Sequence, residues 1–304
     1  MCQIALYTTV HPGTLPFLAE WYESLRLQTA SEFELWIGID NLDIQEARQA
    51  MGARLGANWV QAEPEDTPAQ VRERAWRELI PHADAVIMVD ADDVMHPRRI
   101  EHAREHISGC DIGACGMKLV DEEGNSIGQA MPPPEYNTPE DILPHHNIFG
   151  LTNTVCRAKF LKDSLPLSED ITLIDWYLAT QAWLMGVDLS LDRTVRMSYR
   201  QHGGSTLSLL PPFTTENVRR TSEAVVDHFS AVACSLPSKP HPERLSAFRK
   251  AYEDVRQFKK QVLDNDERLE EYTSALNQRP PLLLWWGCVA YPELDHFWNK
   301  PATE

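Results

Sequence analysis

The sequence predicts an α/β protein with a mixed, mostly parallel sheet, helices on both of its faces, and a helical C-terminal extension. Three observations carry this. Strand-like and helix-like stretches alternate through residues 4–88, the βαβα order of parallel sheets. Ala85-Val86-Ile87-Met88 is continuously apolar, as strands buried on both faces are. Beyond Leu210-Pro211-Pro212 the pattern turns helical. These give an expected division into 1–210 and 211–304.

In order, Ile4 to Thr9 reads as a strand ended by His11-Pro12-Gly13, and Leu15 to Leu27 has helical periodicity. Glu34 to Ile39 is a second strand, closed by Asp40-Asn41-Leu42-Asp43. A helix over Ile44 to Leu55, a short strand Asn58 to Val60, a helix Pro68 to Leu79 and the strand from Ala85 follow. A helix then runs from Arg98 to about Ile107, a strand from Ile112 to Val120, and a turn over Asp121 to Asn125. Pro132-Pro133-Pro134 opens a loop reaching Asn147. Leu173 to Met185 is a helix with Gly186 as its C-cap, and Asp188 to Tyr199 is extended. In the extension, Phe248, Val255, Val262, Leu269 and Leu276 recur at every seventh position. Lys259 and Asp266 interrupt the second seam that a coiled coil needs. One long helix packed on its own domain is expected, with a homodimer through these helices as the alternative.

With 45 acidic against 28 basic residues, the net charge of −17 excludes a general nucleic-acid binder. An anionic small molecule stays open, because a bound cation inverts the local field. No apolar run reaches the ~20 residues of a membrane span. Leu282 to Trp286 is apolar but short, so core or a subunit contact is expected, with peripheral membrane contact as the alternative. The amino terminus lacks a signal-peptide pattern, and the six cysteines form neither a CxxC pair nor a zinc spacing. Reduced thiols and a cytoplasmic location are the expectation.

The chemistry concentrates at Val89-Asp90-Ala91-Asp92-Asp93, directly after an apolar strand. Residues two apart in an extended segment face the same way, which aims Asp90 and Asp92 together. Converging carboxylates repel unless a cation lies between them, and their oxygens suit Mg²⁺ or Mn²⁺. Open parallel sheets bind ligands beyond the carboxyl ends of their strands, where Thr8, Thr9, Asp40 and Asp90 fall.

Over roughly residues 1–207 the chain resembles the family-two glycosyltransferases of GT-A (Rossmann-like) fold. The resemblance rests on "SLRLQTASEFELWIGIDNLD" (Ser24 to Asp43), "VRERAW" (Val71 to Trp76), "VDADDVMHPRRIEH" (Val89 to His102), "IDWYLATQAWLMG" (Ile174 to Gly186) and "YRQHGGST" (Tyr199 to Thr206). It departs at Glu73, where the family often has Asn, and at Ile174, where an acidic residue is usual.

The resemblance implies transfer of a sugar, with inversion, from a nucleoside-diphosphate donor to an acceptor hydroxyl. UDP is the family's commonest carrier, with dTDP and GDP as alternatives. It implies that Thr8, Thr9, Asp40 and Arg72 line the nucleotide pocket and that Asp90 contacts the ribose or a water. Asp92 is the implied ligand of Mn²⁺ or Mg²⁺ in the Asp-x-Asp motif. His202 is a further metal or phosphate ligand, Arg200 a phosphate contact, and Asp93 a cap for the next helix. Asp175 is the implied general base, with Glu169-Asp170 the competing pair. Trp176 reads as core rather than an acceptor platform, and His145-His146-Asn147 as surface loop rather than acceptor lining. The acceptor is left open among glycans, lipid-linked sugars, proteins and small molecules. A sugar nucleotidyltransferase would need a Gly-rich, Lys-containing loop after the first strand, and Pro12-Gly13 is a poor substitute. A catalytically silent GT-A scaffold is the other alternative.

Overall fold

The computed structural model describes residues 2–52, 56–168, 171–204 and 207–299. The chain forms two compact units. The first comprises Met1–Met131, Phe149–Asp170 and Asp188–Gly204; the second comprises Pro132–Ile148, Ile171–Val187 and Ser205–Glu304. The second unit therefore draws on two segments upstream of residue 210.

The first unit is built on nine strands: β1 (Ile4–Val10), β2 (Glu34–Ile39), β3 (Asn58–Gln61), β4 (Ala85–Met88), β5 (Val94–Met95), β6 (Ile112–Val120), β7 (Ser126–Met131), β8 (Thr154–Arg157) and β9 (Leu189–Arg200). Their order is β3-β2-β1-β4-β8-β6-β9-β5, with β7 also paired to β6. The pairings give six of the nine strands one direction; β5, β7 and β8 run against them. The sheet is thus mixed and mostly parallel by direction. All seven residues of β1 are buried, so both its faces are covered. Helices α1 (Leu18–Arg26), α2 (Ile44–Ala50), α3 (Pro68–Leu79), α4 (Arg99–His106) and α5 (Ala158–Asp163) belong to this unit.

Local chemistry sets the boundaries. Thr67 caps α3 by accepting from the Gln70 N–H, and the Gln70 side chain accepts from the Thr67 N–H. Pro68 follows at the first helical position, where its missing N–H costs nothing. Glu73, the departure from the family pattern, accepts from the Leu167 N–H at 2.7 Å and so ties α3 to a distant loop.

The second unit contains α6 (Ile174–Met185), α7 (Thr215–Cys234), α8 (Pro242–Phe258) and α9 (Asp266–Leu276). Gly186 ends α6 with φ +76°, the left-handed conformation only glycine takes cheaply. The single helix expected from Phe248 onward is corrected. A π-helical turn at Lys259–Leu263 interrupts it, and Asn265 caps α9 by accepting from the Arg268 N–H. The five seven-spaced residues are all buried in the described chain. Phe248 lies 5.5 Å from the Phe229 ring, so the stripe packs within its own unit. Leu284, Trp285 and Trp286 are buried as well. None of the six cysteines is in a disulfide. Among the described residues, no helix is long and apolar enough to cross a membrane.

Candidate active site

The first unit's site lies where the strand order reverses. β1 is flanked by β2 and, on its other side, by β4, with both pairings parallel. The chain fills one side of β1 with β2 and β3 before crossing to β4, the kind of reversal beside which open α/β sheets bind ligands. The Asp40 N–H donates to the Val10 carbonyl at 2.9 Å, and the Val89 N–H to the Tyr7 carbonyl at 3.0 Å. With Tyr7 opposite Met88, the same register brings Asp90 beside Thr9.

β4 ends at Met88, and Asp90 to Asp93 form a turn in which the Asp93 N–H reaches the Asp90 carbonyl at 3.3 Å. The alternation expected to align Asp90 with Asp92 therefore does not operate. Contacts from β9 fix the turn instead. Asp92 Oδ2 lies 3.1 Å from His202 Nε2. His202 Nδ1 accepts from the Gly204 N–H at 3.2 Å, and its ring packs 4.8 Å from the Phe17 ring. Neighbouring Asp93 is 1% exposed and accepts from the Arg200 N–H at 2.7 Å. Burial, then the charges of Asp92 and Asp90, push its carboxyl well above the usual range. It does not cap α4, whose N-cap is Arg98.

Two expected nucleotide contacts are corrected. Arg200 is 2% exposed. Its guanidinium donates to the carbonyls of Asp92 (2.8 Å), Glu122 (2.7 Å) and Asp121 (3.4 Å), and also to Glu20. It further stacks 5.0 Å from the centre of Phe17. The guanidinium is thus committed to the acidic turn and its neighbours. Thr8 and Thr9 take opposite faces of β1 by strand alternation. Thr9 Oγ1 lies 2.9 Å from Tyr7 Oη, whereas Thr8 is 1% exposed, sealed away from a ligand.

Asp40, Arg72, Asp90 and Asp92 are all partly exposed. Asp40 Oδ1 accepts from Asn41 Nδ2 at 2.9 Å, and Arg72 Nη1 donates to its own helix at Pro68. Two neighbours of these residues were not singled out in the sequence. His11 accepts from the Gly13 N–H through Nδ1. Desolvation pushes its imidazole below the usual range, opposed by Asp92 and Asp40, with Arg72 and His202 also in its field. Those four influences show the candidate residues sharing one electrostatic neighbourhood. Tyr7 is the second: burial raises its phenol to about 12, with Arg72, Asp90 and Asp40 acting on it. Gly38 makes room for it, since a Cβ there would sit 2.9 Å from Tyr7 Oη. Position alone, just past β1, was the available signal for His11.

Among the described residues, no three His, Cys, Asp or Glu side chains surround a common metal position. Two do converge. Asp92 and His202, whose Oδ2 and Nε2 lie 3.1 Å apart, are the two side chains that could hold an ion. Neutral His202 carries its proton on Nε2, because Nδ1 accepts. Coordination through Nε2 would shift that proton and cost the Gly204 hydrogen bond, about 1 kcal/mol. An oxygen–imidazole pair suits Mn²⁺ or Mg²⁺ when phosphate oxygens and water complete the shell.

In the second unit, Asp175 lies in the first turn of α6, whose N-cap is Leu173, so it is not the cap itself. Asn147 Nδ2 donates to Asp175 Oδ2 at 2.9 Å. Trp176 is core: its ring stacks on His228 at 4.1 Å and on Trp286 at 6.0 Å. His146 and Asn147 are buried rather than a surface loop. Glu169, Asp170, Ser205 and Thr206 lie outside the described residues.

No protein-family model matches the chain, and no curated protein matches it by sequence. Solved structures do match its fold. A mannosyltransferase, PcManGT from Pyrobaculum calidifontis in complex with GDP-Man and Mn²⁺, superposes with a TM-score of 0.58 at 12% identity, covering 90% of this chain and 75% of that one. S. aureus TarS 1–349 in complex with UDP-GlcNAc superposes with a TM-score of 0.54 at 17% identity, covering 91% and 90%. The same protein with UDP gives 0.54 at 17% identity, covering 90% and 91%.

The chain has a GT-A glycosyltransferase fold. Within that GT-A fold, the reversal point between β1 and β4 carries the Asp92–His202 pair.

Proposed function

We propose that the protein is a metal-dependent, inverting glycosyltransferase using a nucleoside-diphosphate sugar, with UDP the first carrier to test and GDP the second. The observation that carries this reading is the 3.1 Å approach of Asp92 Oδ2 to His202 Nε2 at the carboxyl edge of the sheet. Asp92 and His202 would hold Mn²⁺ or Mg²⁺, which when bound offsets charge on the diphosphate. Asp40, Arg72 and Asp90 contact the nucleotide. Thr9 shapes the floor through Tyr7, and the Arg200 clamp holds the turn that presents Asp92.

The reaction balances as a single displacement. The acceptor oxygen attacks the anomeric carbon, the bond from that carbon to the β-phosphate oxygen breaks, and its electron pair leaves with the nucleoside diphosphate. The acceptor proton passes to the Asp175 carboxylate, acting as general base. Asp175 is taken over Glu169 and Asp170 because it is the residue that matches the resembling family's later Asp, in the first turn of α6. The acceptor is a hydroxyl compound or, failing that, water.

Calorimetric titration with UDP and GDP, each with and without Mn²⁺, tests the reading. Binding that tightens at least tenfold with Mn²⁺ and loses that gain in Asp92→Asn supports it. Failure of both nucleotides to bind, with or without the ion, refutes it.

A further inference from the structure

The second unit holds a feature that the reaction above does not use. Asn147 is fully buried, and its side-chain amide donates to Asp175 at 2.9 Å. Its backbone forms an isolated antiparallel bridge with Trp285, far along the chain. The next residue, Trp286, adopts φ +70°, which a bulky residue takes only where its surroundings enforce it. Its ring lies parallel to that of Trp176, at 6.0 Å and 6°. Gly287 then packs so closely that a Cβ would sit 3.0 Å from the carbonyls of Leu282 and Leu284. Consecutive residues of one strained turn thus brace consecutive residues of α6 by two routes. Trp285 acts through Asn147 on Asp175, and Trp286 acts directly on Trp176.

We infer that Asn147 is a positioning residue for Asp175, and that the Leu282–Gly287 turn exists to hold it there. The inference rests on the reading of Asp175 as the base. An N–H donor fixed to one carboxylate oxygen sets the plane of the group and favours its ionised form. Both are what a proton acceptor in a displacement needs, because small misplacements lower rates by orders of magnitude. Plain core packing does not call for a buried amide aimed at a partly exposed carboxylate. The C-terminal segment is therefore part of the catalytic apparatus rather than an appendage.

The test uses the full chain with Mn²⁺ and two probes, UDP-GlcNAc and GDP-mannose, reading nucleoside diphosphate released to water. Four proteins are compared: Asn147→Ala, Asp175→Asn, their combination, and Asn147→Asp. The last matches asparagine in shape, replaces the donor by an acceptor, and carries the test if the alanine variant does not fold. Asp175→Asn should lower kcat about 1000-fold. Asn147→Ala and Asn147→Asp should lower it about 30-fold or more, with the KM for the donor and the affinity for UDP or GDP within twofold of the parent. In the Asp175→Asn background, Asn147→Ala should cost less than twofold further, because its effect runs through that carboxylate. An unchanged Asp175→Asn overturns the base assignment itself, and so does the absence of turnover with both probes. A normal Asp175→Asn loss with unchanged Asn147 variants overturns the positioning role alone. So does an Asn147 loss that persists undiminished in the double variant.

Discussion

The two units hold their candidate carboxylates in different ways. In the first, the Asp90 to Asp93 turn is stitched down by the end of strand β9 and the residues just after it. The Arg200 amide meets Asp93, the Arg200 side chain meets the Asp92 carbonyl, and His202 meets the Asp92 carboxylate. In the second, the buried Asn147 side-chain amide donates to Asp175. The contrast teaches where rigidity resides. Under the proposed function a group that holds an ion against a diphosphate must resist strong, changing forces, and the backbone around the first turn is tied down accordingly. A group that takes one proton needs orientation, and a hydrogen bond from a buried amide supplies it.

The comparison breaks first at Asp92. Asp92→Asn keeps the size and the turn but removes the charge. Mn²⁺-dependent release of nucleoside diphosphate should fall about 1000-fold or more, while the melting temperature stays within a few degrees. A variant that keeps its rate would sink the assignment of the acidic turn.

Acid should then separate the units. His146 and His228 are fully buried in the second unit, and burial pushes both down to about 3. Their pKa values are depressed on folding, so the unfolded chain binds these protons first. Stability falls as pH drops below about 6.5 and continues falling toward 3. At pH 5 each histidine costs about 2 kcal/mol, roughly 4 together. Urea unfolding followed by tryptophan fluorescence should show this loss, and His228→Phe should remove about half of it. A flat profile between pH 7 and 5 would contradict the burial of these rings.

Cutting the clamp comes next. Arg200→Met leaves the Asp92 and Glu122 carbonyls without their donor, and stability should drop by about 3 kcal/mol. Affinity for UDP with Mn²⁺ should fall along with stability, because Arg200 holds the turn that carries Asp92. A variant that loses affinity with unchanged stability would instead restore Arg200 as a phosphate contact. Smallest is Thr67→Ala, which removes the cap of α3. About 1 kcal/mol of stability should go, with turnover unchanged, because the cap serves the scaffold alone.

Much of the scaffold was readable in advance, for local reasons. Thr67-Pro68 announces the start of α3, Gly186 the end of α6, and an unbroken apolar run marks β4. β8 escaped notice because four residues are too few to show a periodicity, and β5 because it spans only two. The seven-residue stripe suggested one helix because a π-helical turn preserves the burial pattern while breaking the axis. At the site, Asp92 and His202 were legible as residue types in a recognisable order. The roles of Arg200 and Asn147 were not, because each depends on acceptors remote in sequence: Glu20 for one, Trp285 for the other.

β9 is the last strand in the chain, yet it lies between β6 and β5. A nascent chain emerging from the ribosome can pair β1 through β4 early, but its acidic turn stays unstitched until residue 200 has been synthesised. The step that completes the reactive edge is thus a late, long-range insertion, which makes the birth of an active molecule slower than its collapse.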